Sequence, residues 1–270
     1  MCSKIHIPVD EECLFLHTVS NKKIRISIVN YTNTLPFKWA LKRSALLNEM
    51  ELQEDIPSIC AQKLKYGQVD LALVPVALLA ELDSYFIESD YCIGADGKVD
   101  SVKLYSSVPL QEIKTVTLDY QSRSSITLTK VLFKFFWKQS VIYHEAKPGF
   151  EKQIAGSNAA VVIGDRTFAM NGTFEFEYDL AEEWKKFTGL PFVFAAWVSI
   201  HNIPMEFMSQ FNSVLKTGVE NIAKAVQDEY SNKDLSPSKT LEYLTNRINY
   251  TLDNSKKEAL SLFLNYIKLL

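Results

Sequence analysis

Apolar and polar positions alternate over residues 24–29, where Ile24, Ile26 and Ile28 stand between Arg25 and Ser27 before Val29 closes the run. A period of two is the pattern of a half-buried strand. The run empties into Asn30-Tyr31-Thr32-Asn33-Thr34-Leu35-Pro36, after which Phe37, Trp39, Ala40 and Leu41 continue at helical spacing. Proline suits the first turn of a helix, where its missing N–H has no partner to lose. The same order of strand, polar turn and helix returns at 116–136. There the apolar Val116-Thr117-Leu118 gives way to Asp119-Tyr120-Gln121-Ser122-Arg123-Ser124-Ser125, and then to Ile126, Leu128, Val131, Leu132, Phe135 and Phe136. Ser124 or Ser125 is the expected N-cap, since a hydroxyl there can accept from the unpaired amides of the first turn. A helix that starts at a strand's C-terminal end, with hydroxyls and an arginine nearby, suits an anion. An ordinary strand-to-helix turn with a solvated Arg123 fits the same pattern.

Between these units the chain reads as a short strand near 50–53 and a helix opened by Pro57 and stopped at Gly67. A buried strand over 69–75 and a short helix over 76–82 follow. Such βα repeats predict a mainly parallel sheet covered on both faces. The grammar changes over 84–107, where strands at 85–93 and 101–105 flank the turn Gly94-Ala95-Asp96-Gly97. The second of these strands is read as a crossover into another lobe. The βα order then resumes with a strand near 140–144, a helix near 150–155, and the apolar run 159–163 ending in Gly164-Asp165. A helix opens at Asp179 and closes at Gly189. The long apolar run 191–200 returns the chain to the first lobe. Beyond Pro204 the pattern is helical throughout, over 205–230, after Ser236-Pro237, and over 255–270. The last stripe is read as core packing, because Asn265 and Lys268 interrupt it without building a basic face.

The predicted architecture is therefore α/β: a two-lobed clamp with two crossover strands and a C-terminal helical tail. Residues 1–22 form an extension, 23–101 plus 200–270 make lobe 1, and 102–199 make lobe 2. Ligands of open α/β sheets sit beyond the carboxyl ends of the strands, and a clamp points both sets of ends at one cleft.

A chain of 270 residues, 47% hydrophobic and 23% charged, has enough apolar material for two cores. A net charge of −3 without a long basic run speaks against nucleic acid as a partner and leaves room for a local anion pocket. Cys2, Cys13, Cys60 and Cys92 form no CxxC pair, and His6, His17, His144 and His201 are dispersed. Free thiols without structural zinc or disulfides are the expectation. The first twenty residues carry Asp10, Glu11 and Glu12 rather than a basic start and an apolar core, and no run reaches a bilayer's span. The expected setting is cytoplasmic, with no membrane partner.

Candidate chemistry is sparse. Asn33 stands in the turn after the first strand, where its amide can face a ligand or bond its own backbone. Ser101 opens the crossover strand and faces either ligand or solvent. Asp96 and Asp100, beside Gly94, Gly97 and Lys98, read as turn residues. Gly164 and Asp165 end a buried strand, with Arg166 beside them as a second candidate cation. There is no GxSxG elbow, no GxGxxG and no P-loop. Residue patterns alone reach a two-lobed binder of a small, anionic molecule, and no reaction.

Several segments together resemble one family, the chorismate dehydratases of the futalosine route to menaquinone. They are the run from Ile24 to Phe37, Asp70-Leu71-Ala72-Leu73-Val74-Pro75-Val76, the run from Ile93 to Ser106, Leu118-Asp119-Tyr120-Gln121-Ser122-Arg123-Ser124-Ser125, and Gly189-Leu190-Pro191-Phe192-Val193-Phe194-Ala195 after the helix from Asp179. The likeness covers about residues 23–270. It implies a periplasmic-binding-protein-like (type II) fold used as an enzyme that converts chorismate to 3-[(1-carboxyvinyl)oxy]benzoate, without metal or redox cofactor. It also implies that Asn33 and Ser101 act at the substrate and that Ser124 and Ser125 grip a carboxylate of it; Thr34, Arg123, Gly164 and Asp165 are the further candidates for binding it. Family members often have threonine where Ser124 stands, which keeps the hydroxyl. With no histidine or glutamate placed for the task, the enolpyruvyl carboxylate of chorismate is the expected base. The competing readings are the sister enzyme that makes 1,4-dihydroxy-6-naphthoate, which needs a catalytic histidine, and a solute-binding protein for a small carboxylate.

Overall fold

Ile26 and Ile28 are fully buried on β1 (Ile24–Val29), and the alternation seen in the sequence turns into the inner face of a sheet. The computed structural model describes residues 23–270; the extension expected over 1–22 lies outside the described residues. From β1 the chain runs through α1 (Leu35–Arg43), β2 (Met50–Asp55), α2 (Pro57–Lys65), β3 (Leu71–Pro75) and β4 (Phe86–Ala95). It continues through β5 (Val102–Ser106), β6 (Thr115–Leu118), α3 (Arg123–Val131), β7 (Ile142–Glu145), β8 (Asn158–Ile163), α4 (Arg166–Met170), β9 (Phe176–Asp179) and α5 (Leu180–Thr188). Next come β10 (Phe192–Ser199), α6 (Met205–Glu220), α7 (Ile222–Glu229), α8 (Pro237–Asn246), β11 (Asn249–Thr251) and α9 (Asn254–Lys268).

Two sheets result, one in the order β11-β4-β10-β3-β1-β2 and one in the order β7-β6-β8-β5-β9. Both are mixed rather than mainly parallel. β1 is parallel to β2 and β3, but β10 runs antiparallel to β3 and β4. In the second sheet β6 is parallel to β7 and β8, and β5 is antiparallel to β8 and β9. The expectation of parallel strands holds for the βα units alone. A strand that arrives from the other sheet needs no helical crossover and is free to pair antiparallel.

Other departures have local causes. The cap of α3 is Ser122, whose Oγ accepts from the Ser125 amide at 3.1 Å, rather than Ser124 or Ser125. The helix expected over 205–230 breaks at Asn221, past the point where α6 meets α1 so closely that a β-carbon on Gly218 would stand 2.3 Å from the Pro36 carbonyl. The stretch after Pro204 is not wholly helical, since β11 pairs antiparallel with β4. One hydrophobic core runs from Ile26, Leu73 and Trp197 in the first sheet to Leu128, Val161 and Trp184 beside the second. Trp184 packs edge-on against Phe192 at 5.5 Å and Phe263 at 5.9 Å, which ties α5, β10 and α9 together where the chain returns.

Candidate functional site

A cavity lies between the two sheets, lined by residues of both. The turn after β1 forms one wall. Thr34 Oγ1 donates to the carbonyls of Val29 at 2.5 Å and Tyr31 at 2.9 Å, which folds the turn on itself and points Asn33 inward. A hydroxyl closing a local turn in this way competes with regular structure and ends the strand. The Tyr250 hydroxyl donates to the Asn33 carbonyl at 2.9 Å, so β11 steadies the same turn. Asn33 Oδ1 is buried without a hydrogen-bond partner among the described residues. An unpaired buried carbonyl costs about 1–3 kcal/mol, which a bound donor would recover.

Ser101 lies where the chain passes to the second sheet, and that passage is held from several sides. Asp179 accepts from the amides of Val99 at 3.0 Å and Asp100 at 2.7 Å while also capping α5 through Ala181 and Glu182. Burial pushes the Asp179 carboxyl up to about 6, and the amides it accepts from oppose that rise. The Gly164 amide donates to the Ser101 carbonyl at 2.9 Å. Asp100 takes φ +63 and pairs with Arg247 at 2.5 Å. The Ser101 hydroxyl faces the cavity and accepts from Tyr243 at 2.8 Å.

The start of α3 forms the opposite wall with Ser122, Ser124 and Ser125. Ser124 Oγ donates to the Phe194 carbonyl at 3.0 Å and accepts from the Ala77 amide at 3.2 Å, so this hydroxyl joins the helix to the first sheet. The first-turn amides of α3 have no partner within the helix, and the Ser125 hydroxyl accepts from Ser122 at 2.9 Å with its own proton left to donate. Gly164, at φ +73, lines the cavity against the Tyr31 ring.

The other residues singled out from the sequence stand outside the cavity. Arg123 Nη1 holds both carboxylate oxygens of Glu81, at 2.7 and 2.8 Å, on the outer surface. Asp165 accepts from the amide and hydroxyl of Thr32, the latter at 2.9 Å, and so fastens the end of β8 to the turn of the first sheet. Arg166 binds Asp119, fully buried below it, and Glu151 at 2.6 Å. Burial pushes the Asp119 carboxyl up, and Arg166 pulls it back. Of the lining residues only Tyr31 can titrate, and burial drives its phenol above the usual range. Among the described residues, His144 lies at the sheet edge on β7 and His201 beside Asp70 at 3.5 Å, both away from the cavity. No three His, Cys, Asp or Glu side chains cluster for a metal among the described residues, and no described helix is long and apolar enough to cross a membrane. Tyr31, which lines the cavity, and Tyr243 and Asp179, which hold Ser101 and the chain leading to it, carried no signal of these roles in the sequence, apart from the cap that the start of α5 marks at Asp179.

Two sheets with a shared cleft define the periplasmic-binding-protein-like class. The chain superposes on an Archaeoglobus fulgidus protein solved by a structural genomics consortium with a TM-score of 0.74, at 15% identity over 93% of this chain and 98% of that one. A Candida albicans gene product described as having the generic periplasmic binding protein fold gives 0.61 at 11% identity, covering 92% of this chain and 90% of its own. Within that class the chain belongs to the menaquinone biosynthesis family, whose model matches residues 24–268. Curated relatives named chorismate dehydratase occur in Thermus thermophilus, 25% identical over 88% of this chain and 93% of theirs, and in Campylobacter jejuni, 24% identical over 90% and 96%.

Proposed function

We propose that the protein is a chorismate dehydratase of menaquinone biosynthesis, a hydro-lyase that removes water from chorismate to give 3-[(1-carboxyvinyl)oxy]benzoate. The observation that carries this reading is the neutral cavity in which Asn33 Oδ1 lies buried and unpartnered, with Ser101 and the start of α3 lining the same space. The family membership and the names of the two relatives support it.

A ring hydrogen leaves as a proton, the neighbouring ring hydroxyl departs, and the new double bond completes an aromatic ring. That gain makes the loss strongly downhill, so the protein's task is to hold one geometry and exclude competing rearrangements. Among the described residues no carboxylate, imidazole or ammonium lines the cavity, and the base is taken from the substrate, whose enolpyruvyl carboxylate reaches the ring hydrogen. The α3 amides and the Ser125 hydroxyl receive a carboxylate. Asn33 and Ser101 orient the second carboxylate and the leaving hydroxyl, and closing of the cleft on the substrate keeps bulk water out. Thr34, Arg123 and Asp165 act one step back, by shaping the turn and fastening the two sides of the cleft.

Incubation of the pure protein with chorismate is expected to yield an aromatic product one water lighter. Chorismate bound but recovered unchanged would favour a solute-binding protein and overturn the enzyme.

A further inference from the structure

We infer that Tyr243 is a positioning residue of the proposed dehydration: its buried hydroxyl donates to Ser101 Oγ and thereby commits the Ser101 proton to the cavity. The inference rests on the dehydratase reading and extends it to the helical tail, 142 residues further along the chain.

Tyr243 sits on α8 with its hydroxyl 2.8 Å from Ser101 Oγ, and its ring packs edge-on against Phe168 at 4.9 Å. It also borders a polar hollow lined by Asp100, Lys103 and Arg247. A serine hydroxyl has one proton and two lone pairs, and a phenol is the stronger donor of the two. With one lone pair engaged by Tyr243, the Ser101 proton points away from it, and no protein acceptor among the described residues takes it. The cavity is where that proton is usable. Burial raises the Tyr243 phenol above its usual range, while Ser101 and Asn33 beside it oppose the rise. Tyr243 therefore remains a donor throughout rather than a proton source.

The step balances without help from outside. The ring C–H bond breaks and its proton goes to the substrate carboxylate. The C–O bond to the ring hydroxyl breaks with its electron pair on oxygen, and Ser101 donates a hydrogen bond to that oxygen as charge develops. The proton held by the carboxylate then completes the water. Ser101 and Tyr243 end the cycle as they began it.

The test is the purified full chain with chorismate, as wild type, Tyr243→Phe, Ser101→Ala and the double variant. Tyr243→Phe keeps the ring and removes one oxygen. Its kcat is expected to fall roughly 10- to 100-fold, below the loss of a direct oxyanion donor, with KM within about threefold and the melting temperature nearly unchanged. In the Ser101→Ala background the same change is expected to cost less than about twofold, because its effect passes through Ser101. An unchanged kcat, or losses that multiply in the double variant, would overturn the role of Tyr243 while leaving the dehydratase reading in place. A wild type that yields no aromatic product would overturn the reading itself. Should Tyr243→Phe not fold, 3-fluorotyrosine placed at position 243 strengthens the donor without changing the shape. A kcat altered by about twofold or more is then expected, and an unaltered kcat counts against the proposal.

Discussion

The ring of Tyr31 lies against the α-carbon of Gly164, so closely that a β-carbon built on the glycine would stand 2.8 Å from Tyr31 Cζ. Tyr31 follows β1 in the first sheet and Gly164 follows β8 in the second, so this contact joins the two sides where both residues line the cavity. At φ +73 the glycine is also in a backbone region that costs an L-residue about 1–2 kcal/mol. Gly164→Ala is expected to lower the melting temperature by several degrees and to raise KM for chorismate at least about tenfold. Thermal unfolding and steady-state kinetics check it, and adding Tyr31→Ala should return part of the affinity by removing the clash.

Asn33 presents a buried carbonyl with no partner among the described residues. Its backbone is held independently by Tyr250, so changing the side chain leaves the turn in place. Asn33→Ala is expected to slow kcat by roughly 100-fold or more, as for the loss of a group that orients the reacting hydroxyl. Asn33→Asp keeps the shape but adds a negative charge to a neutral cavity, and should raise KM for a dianion at least about tenfold. Near-normal rates in both would remove Asn33 from the mechanism.

How much of this was legible beforehand depended on how local each signal is. The strand–turn–helix units around Asn33 and Ser124 were readable because a strand period, a polar turn and a helical period follow one another within a few residues. The turn residues that line the cavity came with them. Mixed strand direction was not readable, since nothing in β10 itself says which neighbours it will pair with. Ser122 and Ser124 are indistinguishable by residue type, and only the backbone decides which caps the helix and which bridges to Ala77 and Phe194. Tyr243 was invisible for a different reason. A tyrosine on the inner face of a helix reads as core, and its contact with Ser101 joins positions 142 residues apart.

Arg123 offers a contrast, as a cation at a helix start that the fold turns outward. Its partner is Glu81, which also binds Lys65 at 2.7 Å, and the Arg123 and Glu81 side chains are 35% and 42% exposed. Exposed pairs contribute about 0–1 kcal/mol. Arg123→Ala is therefore expected to change KM for chorismate by less than about threefold, with a small loss of stability that shrinks further in high salt. A tenfold rise in KM measured at constant ionic strength would place the guanidinium at the substrate after all.

Asp179 links stability to catalysis, because one carboxylate caps α5 and also holds the Val99 and Asp100 amides next to Ser101. Its pKa rises from an ordinary 3.8 to about 6, with burial the leading cause. The folded protein therefore binds this proton more tightly than the unfolded chain. The resulting contribution to stability is complete below about pH 4 and declines as pH rises through about 6. A rise of that size corresponds to about 3 kcal/mol across the window. The Asp119 and Asp165 carboxyls are raised in the same way, whereas those of Glu54, Asp70, Glu81 and Asp253 are lowered and contribute the opposite slope. The informative quantity is thus the difference between wild type and Asp179→Asn. Asparagine cannot titrate and must turn its NH₂ toward two of the four amides. At pH 7.5 the variant is expected to be less stable by about 1–3 kcal/mol and to lose most of its kcat as Ser101 moves. Denaturant unfolding followed from pH 4 to 7 should show the wild-type advantage shrinking as pH rises, and a difference independent of pH would mean that Asp179 is not the group titrating there.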